Sequence, residues 1–157
     1  MKPEVFFLRY AFPCAFIIFQ RKEITKRELT ELENAAVNNV VLPKEKLEKI
    51  FHRAFNRIKP IAVEMNKDRW NIEVIKEYFL NRHTELAEQG FEMTKKVPRT
   101  LKELCKIHKA VITDKKRSLF VVKFNKSTRT VLNSLVPNAK IGDLVNIHYG
   151  YAVEIVT

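Results

Sequence analysis

Six side chains of this 157-residue chain have the chemistry of soft-metal ligands or of a nucleophile–base pair: two cysteines, Cys14 and Cys105, and four histidines, His52, His83, His108 and His148. Cys105-x-x-His108 has the spacing of half a zinc site. A structural zinc wants four ligands, and Cys14, His52, His83 and His148 form no second close pair in the sequence. Spacing alone therefore leads to the expectation of no metal. Cys14 follows Pro13 in an apolar run and reads as a small buried hydrophobe. His52 and His83 lie in helical stretches and read as surface or packing histidines. His148 stands apart because it falls in GDLVNIHYGYA, Gly142–Ala152, which holds two of the chain's three glycines.

Physically that stretch is a β-hairpin. Gly142-Asp143 is a turn pair, since glycine tolerates positive φ and aspartate caps nearby backbone. Val145 and Ile147 alternate with Asn146 and His148 along a strand. Tyr149-Gly150 closes a two-residue turn in which the glycine is expected to supply the positive φ. Tyr151, Val153 and Ile155 then return, with Ala152 small enough for a close approach. On this reading His148 is a strand residue bonded to backbone. No nucleophile elbow, phosphate loop, dinucleotide fingerprint or HExxH motif occurs. The chain is accordingly read as non-enzymatic and without a cofactor.

The elements that must position these residues fall into two parts, a helical region 1–104 and a strand region 105–157. The run from Pro3 to Phe19 is apolar but contains Glu4, Arg9 and Pro13, so it reads as a buried core segment rather than a membrane span or signal peptide. Thr25-Lys-Arg-Glu28 is a capping box that opens a helix to about Asn38. Pro43 is placed at the first position of a helix whose stripe is Leu47, Ile50, Phe51, Ala54, Phe55 and Ile58, with Pro60 expected to end it. A third helix is expected over Asn71–Gln89, lined by Ile72, Ile75, Tyr78, Phe79 and Leu86 and capped by Gly90. Phe91–Pro98 reads as a connector, and Thr100–Leu104 as one helical turn at most. Beyond Cys105 come five short β-branched runs: Ile107–Thr113, Ser118–Phe124, Thr128–Leu132, Leu144–His148 and Tyr151–Val156. Polar turns at 114–117, 125–127 and 137–143 separate them, and this rhythm implies a small barrel. The fold class is therefore α+β, a helical N-terminal region followed by a small OB-like β-barrel.

The block from Cys105 to Val156 also resembles the HypC/HupF family of hydrogenase maturation chaperones. Those small barrels read Cys, a hydrophobic strand, a Val-Asp-Phe-like strand, Arg-x-Val, Leu-Val-Pro and Gly-Asp-Tyr-Val-x-Val-His-x-Gly-Phe-Ala. The matching residues here are Cys105, then Val121-Val122-Lys123-Phe124, Arg129-Thr130-Val131 and Leu135-Val136-Pro137. Gly142-Asp143 and Val145-Asn146-Ile147-His148-Tyr149-Gly150-Tyr151-Ala152 follow. Two differences stand out: Cys105 is internal rather than following an initiator Met, and no Pro-Gly turn comes after it. The resemblance covers about a third of the chain and implies a HypC-like barrel in an accessory or adaptor protein. Cys105 and His148 would be the residues that engage a partner and an iron–cyanide–carbonyl unit. The implied partners are a HypD-like protein or a hydrogenase large-subunit precursor.

The net charge of +11 is carried unevenly, with +6 in residues 105–157. That balance raises a second reading, a cytoplasmic RNA- or DNA-binding module. Its contacts would be Lys115, Lys116, Arg117, Lys126 and Arg129 around Phe120 and Phe124. Phe120, Val122 and Phe124 share one strand face, however, which is also how core residues are placed. Two unpatterned cysteines argue against a secreted disulfide framework, and a cytoplasmic location is expected.

Overall fold

The computed structural model of the chain describes residues 1–88 and 99–157. It divides into two compact units, Met1–Glu85 and Leu86–Thr157, so the short helix before the barrel counts with the barrel. The arrangement is α+β, helices first and then a closed five-stranded barrel.

In the helical unit, α1 (Pro3–Gln20) starts with proline in its first turn and Glu4 beside it, where a missing N–H costs nothing and a negative charge suits the helix dipole. Val5, Phe6, Phe7, Leu8, Tyr10, Ala11 and Phe12 are all buried, as a core segment requires. No helix among the described residues is long and apolar enough to cross a membrane. Helix α2 (Lys26–Asn38) carries the expected capping box: the Thr25 Oγ1 accepts from the Glu28 N–H, and the Glu28 carboxylate accepts from the Thr25 N–H at 2.8 Å. It ends on Asn39 in the left-handed region, φ 55°.

The next segment departs from expectation. Helix α3 (Lys44–Ile50) breaks at Phe51, Pro43 is its N-cap, and α4 (His52–Glu64) runs straight through Pro60. Proline removes the donor to the carbonyl four residues earlier, here Asn56. Asn56 and Pro60 both face solvent, where water is available to such a carbonyl, while burial of Ile61 and Ala62 favours continuation. Trp70 then anchors the unit. Its Nε1 donates to the Glu48 Oε1 at 2.7 Å, and Arg69 Nε donates to the same oxygen at 2.8 Å. The last helical stretch is not uniform: α5 (Ile72–Lys76), a π-helical segment (Glu77–Arg82) and α6 (His83–Glu88) follow one another. The expected Gly90 cap, the Phe91–Pro98 connector and the Leu86 side chain lie outside the described residues.

In the barrel unit, α7 (Arg99–Cys105) has seven residues, nearly two turns rather than one at most. Five strands follow: β1 (His108–Lys116), β2 (Leu119–Phe124), β3 (Ser127–Leu132), β4 (Leu144–His148) and β5 (Tyr151–Ile155). They close in the order β1-β2-β3-β5-β4, with β4 back against β1. The β3–β5 contact is the parallel one, at Leu132 opposite Tyr151. Strand β1 continues to Lys116, so residues expected in a turn at 114–116 pair with β2 instead, after a bulge between Ile112 and Asp114. Ala110, Ile112, Phe120, Val122, Val131, Val136, Val145, Ile147 and Ala152 fill the interior.

The two glycines of the last hairpin region play different parts. Gly142 has φ 92° and its N–H donates to the Ile112 carbonyl at 2.8 Å, joining the turn to β1. At the 149–150 turn the positive φ, 51°, belongs to Tyr149 and not to Gly150, contrary to the expected assignment. An added Cβ meets nothing within 4 Å at either glycine. Only backbone conformation is then at stake. Gly142→Ala is expected to destabilise the barrel by about 1 kcal/mol, and Gly150→Ala by a few tenths at most. Paired denaturant titrations check this; equal losses at the two positions would contradict it.

Candidate functional site

Strand β4 pairs with β1 on one side and β5 on the other, and its register with β5 shifts between Asn146 and Ile147. All four residues Val145–His148 are buried, so the alternation read from the sequence does not leave Asn146 and His148 in solvent. His148 is 0% exposed, and Asn146 donates through Nδ2 to Glu154 Oε2 at 3.3 Å. The Tyr149 backbone N–H donates to the Leu104 carbonyl at 2.9 Å. That bond ties the end of α7 to the β4–β5 turn, and Cys105 is the next residue of α7. The Cys105 Sγ consequently lies within 4.8 Å of a His148 ring nitrogen, although the two residues are far apart in sequence. Cys105 is itself buried, at 5% exposure. The structure thus brings together the two residues nominated by the HypC resemblance.

His108, the other half of the Cys105-x-x-His108 spacing, is engaged elsewhere. Its ring stacks on Phe124 at 4.7 Å and 26°, and its Nε2 lies 3.4 Å from the Glu103 carbonyl oxygen. Burial holds the His108 pKa below the ordinary value of 6.5, with the Glu103 carbonyl opposing. The unfolded chain therefore takes up this proton more readily than the folded one, and stability present above about pH 6.5 is lost as pH falls through the folded pKa. His108→Asn is expected to flatten the pH dependence of stability between about pH 7 and 5, as read by denaturant midpoints. An unchanged slope would show that His108 does not set it.

The helical unit holds a pair that spacing did not reveal. Cys14 on α1 and His83 at the start of α6 come within 4.8 Å, sulfur to ring nitrogen. Cys14 is half-buried rather than fully enclosed, and His83 is 9% exposed. The His83 ring lies against Tyr78 and Phe79, at 5.5 and 5.9 Å. Both rings belong to the π-helical segment, whose wider turn resets the angular position of everything after it. Such segments concentrate at functional sites. His52, by contrast, is exposed and 3.9 Å from Glu23.

Three of the five basic candidates have partners within the barrel unit. Lys115 Nζ donates to the carbonyls of Pro137 and Ala139, at 2.8 and 3.1 Å. Lys116 pairs with Asp114 at 3.7 Å. Arg129 lies over the Phe124 ring at 4.9 Å, and burial lowers its pKa. Arg117 and Lys126 are exposed at turns. Phe120 is fully enclosed in the barrel. The chain matches no family model, no curated protein and no solved structure.

Proposed function

We propose that the chain is a non-enzymatic accessory protein of the hydrogenase-maturation type, whose barrel holds a metal unit through Cys105 and His148 and offers it to a protein partner. The observation that supports this is the Cys105–His148 juxtaposition, a thiol and an imidazole brought within 4.8 Å by the α7-to-hairpin bond. Thiolate is a soft ligand for low-spin iron, and an adjacent imidazole adds a second donor or stabilises the thiolate. Their burial suits ligation better than a bare surface contact.

The test is co-expression of tagged chain with the HypD-like protein and the hydrogenase large-subunit precursor of the same host, followed by capture in reducing buffer. Wild type is expected to retain one of them and Cys105→Ala to lose it. Retention of neither, or equal retention by both forms, would overturn the reading. Recovery of RNA or DNA with affinity falling steeply in salt would put the nucleic-acid module in its place.

A further inference from the structure

At the mouth of the barrel where β1 begins and β2 ends, two nitrogen-bearing side chains lie against one ring. Phe124 carries His108 at 4.7 Å and the Arg129 guanidinium at 4.9 Å. Arg129 is half-buried, yet its Nη1 is enclosed and finds no hydrogen-bond acceptor among the described residues. Glu103 is the carboxylate whose charge reaches Arg129, but it takes its hydrogen bond from Lys106, at 2.5 Å. Enclosed donors in folded proteins are nearly always matched, so a guanidinium N–H left unmatched asks for an acceptor from outside the chain. The surroundings favour an anion. Lys123 and Lys126, in the β2–β3 hairpin with Phe124, are exposed and have no ion pair among the described residues.

We propose that this mouth binds the phosphate group of a small phosphate monoester, with Arg129 as the residue that grips it. A doubly charged oxyanion suits a guanidinium fork beside unpaired lysines better than a carboxylate does. The enclosed Nη1 is reached when the guanidinium turns off the Phe124 ring. A charge-assisted hydrogen bond to an oxyanion outweighs a cation–π contact at a half-exposed position, so the ligand itself drives that turn. His108 stays on Phe124 and keeps the ring covered. A nucleic-acid strand would need a track of cations and rings open to its bases. Here Phe120 is enclosed and Phe124 already carries His108, which favours a small ligand. The inference does not depend on Cys105, His148 or a maturation partner.

The experiment titrates the full chain with inorganic phosphate and with phosphoserine, at an ionic strength held constant with chloride so that general screening does not change. NMR follows the His108 ring and the Arg129 Nε–H. Both probes are expected to bind at one per chain, to shift both signals and to raise the thermal midpoint. Arg129→Lys keeps the charge and loses the fork. It should weaken phosphoserine by at least about tenfold, the loss of one charge-assisted hydrogen bond. Phe124→Leu keeps an apolar cover and frees the guanidinium, so it should bind as tightly as wild type or more tightly. A guanidinium that serves only to pack on the ring gives no binding in either form. Where Arg129→Lys folds poorly, the pair Lys123→Gln and Lys126→Gln gives the second reading, with weakened binding and an unchanged His108 signal in the free protein. No response of the wild type to either phosphate probe, or an equal response from folded Arg129→Lys, would overturn the proposal. Acetate bound as tightly as phosphoserine would overturn it in favour of a carboxylate pocket. Binding of a single-stranded oligonucleotide with none of phosphoserine would overturn it in favour of a nucleic-acid track.

Discussion

Replacing Phe7 by alanine is expected to cost the helical unit about 3–5 kcal/mol, the range for truncating an enclosed phenylalanine. Phe7 has no exposed surface, and its ring meets four others: Phe51 at 5.5 Å, Phe55 at 4.9 Å, Trp70 at 5.6 Å and Phe79 at 5.7 Å. Phe55 and Trp70 also touch each other, at 4.8 Å, so the side chains around the void cannot move in independently. A cavity bounded by such a ring cluster collapses poorly, which places the loss at the upper end of the range. A domain of this size has about 5–15 kcal/mol in all, so the unit should be largely unfolded at moderately raised temperature. Val63→Ala, at a position 81% exposed, should fall within about 0.5 kcal/mol of wild type and serves as the control. Near-ultraviolet circular dichroism, which reports on Trp70 and its neighbours, would follow the loss. A Phe7→Ala protein as stable as Val63→Ala would show that the aromatic cluster does not hold this unit together.

The same cluster explains why the N-terminal run was readable as core. Glu4, Arg9 and Pro13 interrupt it, and aromatic rings need enclosed partners of their own kind, which later helices supply at Phe51, Phe55, Trp70 and Phe79. Local signals with a self-contained mechanism also transferred well. The capping box at Thr25 and Glu28 satisfies donors within three residues, and the β4 strand needs only its β-branched alternation and flanking turns. Pro60 misled because its effect depends on solvent at Asn56 and on burial at Ile61, neither of which is local. The 149–150 turn misled because glycine is only the commonest carrier of positive φ. Tyr149 adopts it here, while Gly150 does not.

The two thiol–imidazole pairs, one in each unit, were not equally legible. Cys105 and His148 were found through the order of short blocks along the barrel, a pattern that encodes topology as well as chemistry. Cys14 and His83 carried no such pattern. Their approach depends on α1 packing beside the last helical stretch and on the angular shift introduced by the π-helical segment, and a 3.6-residue stripe contains no trace of that shift. Along the chain only Cys105-x-x-His108 is closely spaced. The barrel instead turns His108 onto Phe124 and brings His148 to Cys105 through the closure of β4 against β1.

Phe120→Ala is expected to destabilise the barrel unit by about 3–5 kcal/mol and to leave any affinity for single-stranded nucleic acid unchanged per folded molecule. The ring is fully buried among Ile112, Val122, Val131 and their neighbours, and Lys115 lies over it at 5.4 Å while bonding the Pro137 and Ala139 carbonyls. A base cannot stack on a ring that the barrel itself encloses. Phe124 is the sharper comparison, because it is only half-buried. Its ring meets His108, stacked at 4.7 Å, and Arg129 at 4.9 Å, a cation–π contact worth about 0.5–1 kcal/mol at a partly exposed position. Phe124→Ala should therefore cost less than Phe120→Ala and release His108 toward its ordinary pKa, detectable by NMR titration of the ring. A base-stacking module would behave the other way round, with Phe124→Ala weakening oligonucleotide binding by about 1–3 kcal/mol while barely moving stability. The two variants, measured for stability and for binding at low salt, separate a barrel whose aromatics are core from one whose aromatics are a platform.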